Sequence, residues 1–65
     1  MINIVDHASA VAYTADAIQR RDIRSVREGY IWIATFSGKK SGRGAKAEVR
    51  AMISAAGQNP ADYFG

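Results

Sequence analysis

An α+β fold is predicted for this chain: a helix, a small antiparallel β-sheet, a second helix and a short C-terminal turn, in one small domain over residues 1–65. Three observations lead to it. Apolar residues recur at helical spacing from His7 to Arg20 and again from Ala45 to Ala56. The run Tyr30-Ile31-Trp32-Ile33-Ala34-Thr35-Phe36 is dense in aromatic and β-branched side chains, the composition of a strand. Between that run and the second helix, Ser37–Gly44 holds three glycines, two serines and three basic residues, the composition of a loop.

Taken in order, Ile2, Ile4 and Val5 suit a short strand ended by Asp6. Asp6 is a helix N-cap, because its carboxylate can accept bonds from the orphan N–H groups that follow. Ala8, Val11, Ala12, Ala15 and Ile18 then form a helical stripe, and Arg20 and Arg21 place positive charge at the end that the helix dipole makes negative. Ile23–Glu28 fits either a strand or a helical turn; if it is extended, Glu28-Gly29 makes a hairpin turn into the aromatic strand. In the second helix Val49, Met52, Ile53 and Ala56 share a face, and Gly57 is the natural C-cap because it tolerates positive φ. Asn59-Pro60 starts the last turn, with Asn as cap and Pro in the first helical position. Tyr63 and Phe64 are expected to fold back over the core.

Composition narrows the function. The chain has 65 residues, 48% of them apolar, but twelve of those are alanine, so the larger apolar side chains are few and a homodimer is a reasonable expectation. With no cysteine and one histidine, neither a disulfide framework nor a protein-ligated transition metal is expected, and no cofactor is implied. No apolar run approaches a membrane span, which points to a cytoplasmic protein with no membrane partner. The net charge is +3, but it is unevenly placed: all nine basic residues lie within positions 20–50, where the local balance is +6.

That charge selects the first candidate site, the loop that carries Lys39, Lys40, Gly42, Arg43 and Gly44 and runs into Lys46 and Arg50. Glycine lets the backbone approach a phosphate closely, and the cations neutralise a polyanion. An arginine between two glycines can enter a narrow minor groove, where the potential is most negative. Duplex DNA is the partner these residues predict. The same loop is the ground of a resemblance. Ser41-Gly42-Arg43-Gly44, then a helix, then Ala55-Ala56-Gly57 and Ala61-Asp62-Tyr63-Phe64 resembles the C-terminal DNA-binding domain of the histone-like nucleoid-structuring (H-NS) family over residues 30–64. The resemblance implies an aromatic-bearing strand before the loop, and entry of Arg43 and Gly44 into the minor groove of AT-rich DNA. Gly29-Tyr30-Ile31-Trp32, leading through a basic turn into a helix, is more faintly similar to the arm-binding domains of tyrosine recombinases, also DNA binders.

The second candidate is the strand itself. Extended geometry puts Tyr30, Trp32 and Phe36 on one face and Ile31 and Ile33 on the other. If helices cover both faces, both rows are core. If only the isoleucines meet the helices, the exposed aromatic face can stack bases or form a partner interface, for a second copy or for a host protein bound by a small phage- or mobile-element-type inhibitor or adaptor. Arg20, Arg24 and Arg27 would form one basic stripe on a helix, but Asp22 and Glu28 interleave them as on a solvated surface. No enzyme is predicted. His7 stands alone as a titratable group near a cap, and Gly38-Lys39-Lys40-Ser41 lacks the earlier glycine of a phosphate-binding loop, Ile33 being in its place.

Overall fold

The computed structural model describes residues 3–37 and 43–64 and is helical throughout, with no strand among the described residues. Its elements are α1 (His7–Gln19), α2 (Ile23–Ser37), α3 (Arg43–Ala55) and the single turn α4 (Ala61–Phe64). The expected β-sheet is therefore corrected. Residues 23–28 and the aromatic run are one continuous helix, α2, with no hairpin at Glu28-Gly29. Local β-propensity lost to burial: Val26, Gly29 and Ile33 recur at intervals of three and four and put one face into the core, which an extended chain could not do. Residues 3–5 carry no strand either, although Ile4 packs against the core.

Asp6 caps α1 as expected. Ser9 N–H donates to Asp6 Oδ1 at 2.8 Å, and the Asp6 N–H donates back to Ser9 Oγ at 2.9 Å, a reciprocal capping box. α1 ends at Arg20, and Arg21 takes a left-handed backbone with φ 55°. Asp22 then caps α2: its carboxylate accepts from Ser25 N–H at 3.2 Å and from Ser25 Oγ at 2.8 Å. The three-residue connection folds α2 back along α1. The two helices meet at Gly29 and Thr14, where a Cβ on residue 29 would collide with Thr14 Oγ1 and stand 3.0 Å from Thr14 Cβ. Thr14 is fully buried, and its hydroxyl is satisfied by the Ala10 carbonyl at 2.8 Å.

α3 buries Ala45, Val49 and Ile53, with Met52 partly covered, against that pair. It ends as expected at Gly57, with φ 76°. Asn59 Oδ1 caps the last turn by accepting from Ala61 N–H at 3.0 Å. α4 does fold back on the core. Tyr63 is 2% exposed and its hydroxyl donates to Gln58 Oε1, while Phe64 sets its ring edge-on against Tyr30 at 5.6 Å. The core is built from Ile18, Val26, Ile33, Val49 and Ile53, each fully or almost fully buried and each contributing roughly 1.5–3 kcal/mol by leaving water. No described helix is long and apolar enough to cross a membrane.

Candidate nucleic-acid interface

The basic surface is assembled by α2, α3 and α4. On α3, Lys46 and Arg50 lie one turn apart, both exposed, on the flank of the helix next to its buried face. The Lys46 ammonium stands 5.6 Å from the centroid of the Phe64 ring, a cation–π contact. On α2, Arg27 donates from Nε to the Tyr63 carbonyl at 2.9 Å, which leaves the outer nitrogens of its guanidinium for other partners. The end of α4 thus bridges a cation from α2 and a cation from α3. Arg24, one turn earlier on α2, is exposed as well.

Four of the six carboxylates are engaged elsewhere. Asp6 and Asp22 serve as caps, and both are held below the usual carboxylate range. For Asp6 the main cause is the Ser9 backbone N–H, and for Asp22 it is the Ser25 hydroxyl. Arg20 pairs with Asp16 at 2.9 Å and lies 3.6 Å from Asp22, so it belongs to an ion-paired helix end and not to a stripe with Arg24 and Arg27. Glu48 Oε1 lies 3.1 Å from His7 Nε2, a link between α1 and α3. Among the described residues, no carboxylate oxygen comes within 4.0 Å of Arg24, Arg27, Lys46 or Arg50.

Lys39, Lys40 and Gly42 lie outside the described residues, as does the side chain of Arg43, whose backbone opens α3. Gly44 sits half-buried in the first turn of that helix. The solvent face of α3 beside the two cations is made of Ala47, Ala51 and Ser54, so the helix is slim there, and an α-helix is an element that the major groove admits. The position after Gly44, where the H-NS loop carries a second arginine, is Ala45, 1% exposed and part of the core.

The aromatic residues are not one face. A helical period separates them: Tyr30 is half-buried against Phe64, while Trp32 and Phe36, one turn apart, stack on each other at 5.8 Å with an interplanar angle of 20°. They remain 37% and 36% exposed, and Ile31 is 61% exposed, whereas Ile33 is buried. Sequence reasoning offered Arg27 in a helical stripe with Arg20 and Arg24, favoured a solvated surface, and left open the helix that carries it. Its signal was present in Asp22-Ile23-Arg24-Ser25, an N-cap followed three residues later by a serine that answers it.

The aromatic strand implied by the likeness to the H-NS family is α2 in this structure; the helix after the loop and its closing Gly57 are present. Comparison with family models, with curated proteins and with solved structures gave no match.

Proposed function

We propose that this chain is a non-enzymatic protein that binds duplex DNA. In this reading Lys46 and Arg50 hold phosphates from α3, Arg24 and Arg27 extend the contact along α2, and Lys39 and Lys40 before α3, with Arg43 at its first residue, supply further cations. Gly42 and Gly44 keep the approach of the backbone open, and AT-rich DNA is the target that the H-NS likeness implies. The carrying observation is that Arg24, Arg27, Lys46 and Arg50, on two adjacent helices, form no ion pair among the described residues, while Asp6, Asp16, Asp22 and Glu48 are committed to caps, to Arg20 and to His7. Phosphate binding then costs no internal ion pair. Such a protein would act where DNA is, in the cytoplasm.

A second reading has its own support. The stacked Trp32 and Phe36, with Ile31, form an exposed apolar surface, and Trp and Phe are enriched where partners meet. A host protein or a second copy would bind there, without Tyr30.

Fluorescence anisotropy with a labelled duplex separates the two. Lys46→Ala with Arg50→Ala is expected to weaken binding by about tenfold or more at low salt, since charged contacts to phosphate contribute roughly 1 kcal/mol each or slightly more. Trp32→Ala with Phe36→Ala is expected to leave it unchanged. The opposite pattern would favour the aromatic surface as the functional one.

A further inference from the structure

α1 and α3 end in the same motif, but with different residues at its demanding position. At the end of α3, Gly57 N–H donates to Ser54 O at 3.0 Å and Gln58 N–H to Ile53 O at 3.1 Å, with glycine in the left-handed position. At the end of α1, Arg21 N–H donates to Ile18 O at 3.1 Å and Asp22 N–H to Ala17 O at 3.0 Å, with arginine in that position. Left-handed backbone disfavours any side chain with a Cβ, so Arg21 is held there against local preference.

The two turns enclose a cleft of about 430 Å³ lined by Arg21, Ile23, Gln58, Asn59, Asp62 and Tyr63, together with Gly57. Both amide atoms of Gln58 and the amide oxygen of Asn59 are already used. Gln58 Nε2 donates to Ile18 O at 2.8 Å, Gln58 Oε1 accepts from the Tyr63 hydroxyl, and Asn59 Oδ1 caps α4. The charged groups that line it are one guanidinium and one carboxylate, Arg21 and Asp62. Among the described residues, neither Arg21 nor Asp62 has an ionic partner within 4.0 Å. Ile23 lines the same cleft and is 46% exposed.

We propose that this cleft binds a small zwitterion bearing an apolar group, a free apolar amino acid or a dipeptide of such residues. The charges select against simpler ligands: Asp62 repels phosphates and nucleic acid, and Arg21 repels a bare cation. A ligand carboxylate on Arg21 and a ligand ammonium on Asp62 satisfy both groups, with the ligand side chain on Ile23. This inference is independent of the nucleic-acid reading.

The test is a backbone-amide NMR titration of the full chain with leucine and leucyl-leucine, up to on the order of 10 mM, a weak-binding range suited to so small a ligand. Saturable shifts confined to residues 21–23 and 57–63 are expected. N-acetyl-leucine and leucine amide, each lacking one charge, are expected to bind about tenfold or more weakly. Arg21→Gly relieves the turn, so this variant is expected to melt at a higher temperature and yet lose the binding. Asp62→Asn should weaken it about tenfold. No shift at the highest concentration, equal binding of the blocked ligands, or unchanged binding by Arg21→Gly would each overturn the proposal.

Discussion

Replacing Gly29 by alanine sets two known effects against each other at one position. In an exposed helix interior the change is favourable by about 1 kcal/mol, because alanine is the better helix former. Here the new Cβ collides with Thr14 Oγ1, closer than real Cβ atoms pack, and approaches Thr14 Cβ to 3.0 Å, tighter than most Cβ contacts. Thr14 cannot swing away: its side chain is fully buried and its hydroxyl is bound to Ala10 O at 2.8 Å. Separating the helices would also uncover Val26 and Ile33. Overpacking of this kind costs roughly 1–3 kcal/mol and occasionally more, and a collision this close belongs at or above the upper end. The net loss is then about 2 kcal/mol, a fall in Tm of roughly 8–16 °C for a domain this small. Thermal unfolding followed by circular dichroism measures it. In a double-mutant cycle, Thr14→Ala should recover more than half of the loss, because it removes the colliding oxygen. A Gly29→Ala variant as stable as the parent, or more so, would refute the α1–α2 crossing, and with it the helical assignment of residues 23–37.

Asp22→Asn keeps a capping oxygen for Ser25 N–H but removes a titrating carboxylate. Because the Asp6 and Asp22 pKa values lie below their ordinary 3.8, their contribution is present above about that pH and is lost as the pH falls through the lower folded values. Acid titration should therefore show a flat baseline down to about pH 4 for these two groups and a decline below it, shallower in Asp22→Asn; an unchanged acid limb would remove Asp22 from the account. Arg27→Ala deletes the bond to the Tyr63 carbonyl and should destabilise the fold by about 0.5–1.5 kcal/mol by thermal melt; no loss would mean that α4 is held without it. Trp32→Ala should change stability by less than about 1 kcal/mol, and Trp32 fluorescence should be readily quenched by iodide; a protected Trp32 would place the aromatic pair in an interface between copies.

What could be read from the chain without its structure divides at α2. Asp6 as cap, α1 as a helix, α3 with Gly57 behind it, Asn59 before the last turn and the return of Tyr63 were legible because each rests on local chemistry. The α1 face was misread: Ala8, Ala12 and Ala15 are exposed, and Ala10, Thr14 and Ala17 are buried with Ile18. The segment Tyr30–Phe36 was not, because aromatic and β-branched density carries no period of its own. The helical alternative was written in Val26, Gly29 and Ile33, but Gly29 shows its value only against Thr14, a contact between residues fifteen positions apart. The misreading carried into the candidate interface: a strand unites Tyr30, Trp32 and Phe36, whereas the helix gives Tyr30 to Phe64 and leaves the other two outside. The basic residues were visible as a charge cluster, but joining Arg27 to Lys46 needed α4 between them.

The salt dependence of duplex binding tests the nucleic-acid proposal most directly. With the seven cations named above on phosphates, the slope of log K against log salt should be roughly −6, and it should become shallower by about 2 when Lys46 and Arg50 are both alanine. A duplex that does not bind at low salt, or that binds with a slope near zero in both proteins, would contradict it.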